Sequence, residues 1–127
     1  MEQFKCIVRS DGNKIIGQII WNITEMLKNI NEINLPVYKY FVDDLYKREG
    51  FHGDAEYAMK TNNKEPCIIA NLDENIEILI DGEHRLYKAK QLGMETILCY
   101  VLPFEFHKKF IIDYDEKIYK KVTVDFR

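Results

Sequence analysis

One uninterrupted segment, IEILIDGEHRLYKAKQLGMETILCYVL at residues 76–102, constrains the fold more than any other part of the chain. Its first residues are β-rich and predict a short strand, and a helical pattern with one apolar stripe follows from Gly82 to Leu92. Gly93 is the residue expected just after a helix, and ETILCYVL then predicts a buried strand. The segment therefore predicts a strand, a helix and a strand joined by tight connections.

The amino-terminal part predicts a hairpin and a helix. FKCIVR and KIIGQIIW flank the turn sequence SDGN, and Asn22 with Glu25 three residues later is typical of a capped helix start. We expect this helix to end near Asn31. Residues 37–45 predict a strand, because aromatic and β-branched residues dominate there, although their apolar spacing also fits a helix.

The remaining segments complete an α+β pattern. Asp54 is expected as the N-cap of a short helix, and EPCIIANL predicts a strand that forms a hairpin with IEILI. Residues 104–127 predict further strands around an acidic turn, and His107 within them is expected at the surface. We predict a single α+β domain with a mixed sheet over residues 1–127, since this length suits one compact core.

Composition and charge bear on the location and the partners. The formal net charge of −3 lacks the basic excess that neutralises DNA phosphates, so DNA is not an expected partner. Cys6, Cys67 and Cys99 each lie in an apolar stretch and predict buried free thiols in a reducing compartment. No apolar run has the length needed to cross a bilayer. We therefore expect a cytoplasmic protein without membrane association.

The turn DGEHR, residues 81–85, has the chemistry of an anion site. Asp81 is expected as the N-cap, and Gly82 would leave open backbone at the helix start, where free amides and the helix dipole attract phosphate. His84 and Arg85 supply donors within the same turn, and Lys88 adds a positive charge one turn later. These residue types predict a phosphorylated ligand.

The acids of this turn leave two interpretations open. Carboxylates do not themselves bind a phosphate, so Asp81 and Glu83 beside one would need another role. They could bind a metal ion or accept a proton from a substrate hydroxyl. Alternatively, an Asp cap, a Glu in the first turn and an Arg that bonds back to it are ordinary helix-start chemistry. No residues are predicted as metal ligands.

The order of strand, DGEHR, helix, LG and strand resembles the core of the ParB/sulfiredoxin superfamily, whose members have a Gly-x-x-Arg phosphate-binding turn here. The resemblance implies a ParB/sulfiredoxin-like core at residues 37–103. Residues 1–36 would then form an extra hairpin and helix, and residues 104–127 would form carboxyl-terminal strands.

Two branches of the superfamily match the turn only in part. ParB proteins bind CTP through Gly-Glu-Arg-Arg-x-Arg-Ala; Gly82, Glu83 and Arg85 match it, but His84 and Tyr87 replace two arginines. A helix-turn-helix downstream of the core is not predicted either, so binding to partition-site DNA is not expected. Sulfiredoxins have a catalytic cysteine directly after the motif glycine, where this chain has Glu83, so sulfinic acid reduction is not expected.

The third branch, nucleotide-dependent kinases of free serine, carries Asp-Gly-His-His-Arg and an upstream glutamate. Asp81, Gly82, His84 and Arg85 match that turn, and Glu49 stands about where the glutamate would lie. The resemblance implies Glu49 and Asp81 as catalytic residues, with Glu49 as a general base while the turn holds the phosphoryl group. An exposed loop acid is the simpler interpretation of Glu49.

These observations predict a domain that binds a nucleotide (ATP, ADP or CTP with Mg²⁺) or a phosphorylated small molecule through residues 81–88. Phosphotransfer or nucleotide hydrolysis is left open. The alternative is a non-catalytic adaptor of a mobile element or defence system, which would bind a protein partner through its tyrosine-rich surface. A DNA-associated ParB-like protein is the least expected function.

Overall fold

The computed structural model describes residues 1–9 and 12–125 and confirms the α+β class. The strands are β1 (Gln3–Arg9), β2 (Ile15–Asn22), β3 (Val37–Phe41), β4 (Cys67–Asp73), β5 (Ile76–Asp81), β6 (Thr96–Leu102) and β7 (Ile111–Ile112). The helices are α1 (Ile23–Glu32), α2 (Val42–Glu49), α3 (Ala55–Lys60), α4 (Glu83–Gln91), α5 (Phe104–His107) and α6 (Glu116–Asp125), and a 3₁₀ turn spans Lys108–Phe110.

The chain forms two compact units. The first consists of the described residues within Met1–Asn34, the hairpin tip Asn71–Glu77 and the described residues from Leu102 onward. The second consists of Leu35–Ala70 and Ile78–Val101. The predicted functional turn belongs to the second unit.

The first unit contains the antiparallel sheet β1–β2–β7. The predicted hairpin of β1 and β2 is confirmed, with Gln3 opposite Asn22 at its open end; residues 10 and 11 of its predicted turn lie outside the described residues. The predicted cap of α1 is also confirmed, since the Asn22 side chain accepts a hydrogen bond from the Glu25 amide at 3.0 Å. These features were predictable because each depends on residues close together in the chain.

Two strands were predicted within residues 104–127, and the second was wrong because a helix, α6, follows the short strand β7. Residues 126 and 127 of this prediction lie outside the described residues. The Asp115 carboxylate accepts hydrogen bonds from the amides of Lys117 and Ile118 at 2.9 and 3.2 Å and so caps the first turn of α6. Tyr119 and Val122, one helical turn apart, are both buried. Capping and the burial of one helix face therefore outweigh the β-propensity of the aromatic and β-branched residues.

His107 was predicted at the surface, and this prediction was wrong because the side chain is fully buried. The indole Nε1 of Trp21 donates to His107 Nδ1 at 3.1 Å, and His107 Nε2 lies 2.6 Å from the Asn71 carbonyl oxygen. Since an indole N–H can only donate, Nδ1 is the acceptor and Nε2 carries the proton. The imidazole thus links β2, α5 and the hairpin tip of the first unit in its neutral form.

The free energy of unfolding should depend on pH through His107. Burial lowers the pKa of His107 below its ordinary value of 6.5, while the Asn71 carbonyl and Glu105 act in the opposite direction. The unfolded chain then takes up a proton at a higher pH than the folded chain. The stabilisation is therefore full above pH 6.5 and is lost as the pH falls through the folded-state pKa.

Thermal unfolding followed by circular dichroism at neutral and mildly acidic pH measures this dependence. His107→Gln removes the titrating group and should flatten the pH dependence, whereas His52→Gln, at an exposed histidine, should preserve it. An unchanged pH dependence in His107→Gln would contradict the assignment.

The second unit contains the mixed sheet β3–β6–β4–β5, in which β3 lies antiparallel to β6. Its core consists of Val42, Leu45, Cys67, Ile69, Leu79, Leu86, Ala89 and Cys99. The predicted strand at residues 37–45 ends at Phe41, and α2 begins at Val42; Asp43 and Asp44 in the first turn favour the helix start. The cap of α3 is as predicted, since Asp54 accepts from the Tyr57 amide.

Candidate functional site

The predicted turn lies where β5 ends and α4 begins, but its cap differs from the prediction. Gly82, with φ of +110°, is the N-cap of α4, and Asp81 is the last residue of β5. The prediction of Asp81 as the N-cap was therefore wrong. Its carboxylate instead accepts a hydrogen bond from Arg85 Nη2 at 2.8 Å, whereas the Glu83 carboxylate accepts from the His52 amide.

Gly82 is required by close packing against β4. An added Cβ would lie 2.5 Å from Cys67 Sγ and 2.7 Å from Cys67 Cβ, and the Cys67 thiol donates to the Gly82 carbonyl oxygen at 3.6 Å. A hydrogen bond from Cys99 lowers the pKa of Cys67, against the opposing effect of burial. The space left by the missing side chain is thus filled by Cys67, whereas the sequence predicted that it would admit a phosphate.

Arg85 and Lys88 hold the segment of residues 61–66 that leads into β4. Arg85 Nη1 donates to the carbonyl oxygens of Glu65 and Pro66 at 2.8 and 2.9 Å, and Lys88 Nζ donates to the Thr61 carbonyl oxygen. The Arg85 side chain is only 12% exposed. Both cations therefore have a positioning role on this segment, in addition to any contact with a ligand.

Glu83 and His84 face the connection between α2 and α3. The Glu83 carboxylate accepts a hydrogen bond from the His52 amide, and the His84 ring makes edge contacts with Phe51 and Tyr57 at centroid distances of 5.8 and 5.1 Å. Phe51 also stacks on Tyr87 at 4.3 Å. The first turn of α4 thus anchors this connection through one hydrogen bond and a cluster of rings.

Glu49 was predicted as a general base, with an exposed loop acid as the simpler interpretation. It is the last residue of α2, and its side chain is 18% exposed, so it is not in an exposed loop. Its carboxylate accepts a hydrogen bond from the Leu79 amide of β5 and lies 3.4 Å from Arg48 Nη2. In this arrangement Glu49 connects α2 to β5.

A cavity of about 560 Å³ lies on the Arg85 side of α4. Its lining consists of Lys39, residues 61–66, Arg85, Lys88, Ala89, Leu92, Met94, Thr96, Ile97 and Leu98. Among the described residues, this lining has four cationic side chains, Lys39, Lys64, Arg85 and Lys88, and one acid, Glu65, and Arg85 is also paired with Asp81. The formal net charge of the chain is −3. The volume is in the range of small-molecule sites, and the local charge favours an anion.

The structure brings together only part of the predicted site at this cavity. Arg85 and Lys88 line it, while Glu49, Asp81, Gly82, Glu83 and His84 do not. Sequence reasoning missed Lys39 and Lys64, because the first lies within a strand and the second within a polar connection. Neither position carries a local signal, since the fold alone brings them beside α4.

Neither a cluster of metal-ligating side chains nor a membrane-spanning helix occurs in the described part of the chain. No group of three or more His, Cys, Asp or Glu side chains there is arranged to hold a metal ion. No helix among these residues is both long enough and apolar enough to span a bilayer.

No protein-family model matches the chain, and no curated protein or solved structure is significantly similar to it. The resemblance to the ParB/sulfiredoxin superfamily therefore stays a prediction from the DGEHR turn and its neighbouring elements.

Proposed function

We propose that this chain is a ParB/sulfiredoxin-like domain that binds a nucleotide or another phosphorylated ligand, with the phosphate in the cavity beside Arg85. The observation that carries the proposal is the concentration of Lys39, Lys64, Arg85 and Lys88 around one cavity of an acidic protein. Superfamily membership rests on the order of elements around DGEHR.

The electrostatics favour the cavity over the start of α4. At the helix start, the Glu83 carboxylate would repel a phosphate, and Gly82 packs against Cys67. At the cavity, Lys39 and Lys64 are exposed and can turn toward an anion, while Arg85 and Lys88 hold one wall in place. A lysine ammonium acts on phosphate as a mobile point charge, so Lys39 and Lys64 are the proposed direct contacts.

The proposal concerns binding, and turnover would be an additional property. Phosphotransfer or hydrolysis of a nucleotide with Mg²⁺ needs a base near the reacting hydroxyl or water. The two carboxylates predicted to be catalytic, Glu49 as the general base and Asp81, accept hydrogen bonds from the Leu79 amide and from Arg85. Either would have to exchange its present partner for the substrate before it could act.

Isothermal titration with ATP, ADP, CTP and simple sugar phosphates, each with and without Mg²⁺, tests the binding. We expect Lys64→Gln to weaken the affinity for the ligand that binds by about tenfold, because one charge-assisted contact is lost. Glu65→Gln, which removes the one acid that the described residues place in the lining, should instead strengthen this affinity.

Lys47→Gln is the matched control, since Lys47 is exposed on α2 and does not line the cavity. Its affinity should equal that of the wild type. An absence of binding heat with every phosphorylated compound would reject the proposed function. If Lys64→Gln and Lys47→Gln lost the same affinity for the ligand, the cavity would be rejected as the binding site.

A protein-binding role is the second candidate, and the edge strand β3 favours it. Strand β3 has one strand neighbour in the described sheet, and Val37, Tyr38 and Phe41 on it are exposed. An exposed apolar edge strand is a surface on which a protein partner can add a strand. This function takes precedence if no phosphorylated compound binds.

A further inference from the structure

We propose that the ligand of the cavity beside Arg85 is an alkyl phosphate, a phosphate monoester with an aliphatic rather than an aromatic body. This inference rests on the proposed function and narrows its ligand class.

The cavity lining contains no aromatic ring within the described chain. Its apolar part is aliphatic and consists of Pro66, Ala89, Leu92, Met94, Ile97 and Leu98. The rings near the DGEHR turn, including Phe51, Tyr57 and Tyr87, contact one another or His84 and do not line the cavity. Aromatic stacking is one common way in which proteins hold a nucleobase, and the described lining of this cavity offers no ring for it.

Three apolar side chains of the lining are exposed to solvent. Leu92, Met94 and Leu98 expose 60%, 48% and 44% of their surfaces to solvent. These three residues line one cavity and are called its apolar patch here, and a ligand in the cavity would cover part of their exposed surface. An alkyl group that contacts them would remove apolar surface from water on both sides.

The apolar patch and the cationic groups are adjacent. Lys39 on β3 is directly opposite Leu98 on β6, and neighbouring strands place such paired side chains on the same face. Within the described residues, the ammonium groups of Lys39 and Lys64 enter no hydrogen bond or ion pair of the protein. A phosphate at these lysines therefore places an attached alkyl chain against Leu98. Cationic groups beside apolar side chains match the charged head and apolar body of an alkyl phosphate.

Affinity measured along a series of soluble phosphates tests the inference. The series is inorganic phosphate, then ethyl, butyl and hexyl phosphate, with adenosine monophosphate as the aromatic comparison. We expect Kd to fall by about fourfold for each methylene group that becomes buried. Hexyl phosphate should bind more tightly than adenosine monophosphate.

Two variants separate the anion contact from the apolar contact. Lys64→Gln should weaken the binding of every member of the series by a similar factor. Leu98→Thr should leave inorganic phosphate unaffected and reduce the gain from chain length; Leu98 is exposed, so the fold tolerates the change. Circular dichroism confirms that both variants are folded.

Alkyl phosphates occur as soluble metabolites and as lipid headgroups, and a second arm distinguishes these sources. Co-sedimentation with phosphatidylcholine vesicles that contain phosphatidic acid measures lipid binding. Leu98-dependent binding of hexyl phosphate or of these vesicles supports the inference and identifies the source.

Equal affinity for inorganic phosphate and hexyl phosphate would overturn the inference, as would tighter binding of adenosine monophosphate. In both cases Lys64-dependent binding of a phosphate would leave the proposed function intact. If no phosphate compound or vesicle binds, the proposed function and this inference fall together.

Discussion

Gly82→Ala is expected to lower the free energy of unfolding by about 3 kcal/mol or more, because a conformational cost and a packing cost add at this position. The φ of +110° at Gly82 disfavours any residue with a Cβ, and this conformation alone costs about 1–2 kcal/mol. The new Cβ would also lie 2.5 Å from Cys67 Sγ and 3.1 Å from Cys67 Cα, so the backbone of β4 would have to move.

Gly93→Ala is the matched control for the Gly82 substitution. Gly93 also has a positive φ, of +70°, but an added Cβ there meets nothing within 4 Å. Only the conformational cost applies, so the free energy of unfolding is expected to fall by about 1 kcal/mol. Urea denaturation followed by circular dichroism compares the two variants. Equal losses would show that packing against Cys67 does not determine the need for glycine at position 82.

Arg85→Met should lower the free energy of unfolding by about 3 kcal/mol. The substitution removes the ion pair with Asp81, whose side chain is 12% exposed, and the two hydrogen bonds to the Glu65 and Pro66 carbonyl oxygens. A nearly buried carboxylate without its cation retains most of its desolvation cost without compensation. Chemical denaturation at neutral pH measures the loss.

The control is Lys60→Met, which removes another pair at the same sequence spacing. Lys60 and Glu56 form an exposed i,i+4 pair with side chains that are 74% and 80% exposed, so a loss of no more than about 0.5 kcal/mol is expected. Asp81→Asn should cost less in the Arg85→Met background than in the wild type, because the two residues act as one unit. A loss in Arg85→Met no larger than in Lys60→Met would contradict this role.

This role of Arg85 affects how ligand binding should be tested. Because Arg85 holds the wall formed by residues 61–66, a variant at Arg85 would lose affinity through the displaced wall even without a direct contact to phosphate. Lys64 is exposed, so Lys64→Gln reports on the anion contact more directly. Lys64→Gln is therefore a better test of ligand binding than a substitution of the motif residue Arg85.

The correct predictions concern features that depend on residues a few positions apart in the sequence. The caps at Asn22 and Asp54 follow from side chains that accept from neighbouring backbone amides. Helix α4 follows from its apolar stripe, and the positive φ of Gly93 after it follows from the absence of a Cβ. The strand at residues 37–45 was half right, because the apolar spacing of its second half fits a helix as well as a strand, and the burial of Val42 and Leu45 selects the helix.

The sequence by itself determined the α+β class and the strand, turn and helix around DGEHR. It also singled out that turn as a candidate phosphate-binding site. Only the tertiary structure decided what the polar groups contact: Glu49 bonds to β5, His107 bonds to Trp21, and Arg85 bonds to the segment before β4. It also decided that Lys39 and Lys64 share a cavity with Arg85. Local backbone preferences act over a few residues, whereas these contacts join residues far apart in the chain and depend on how strands and helices pack.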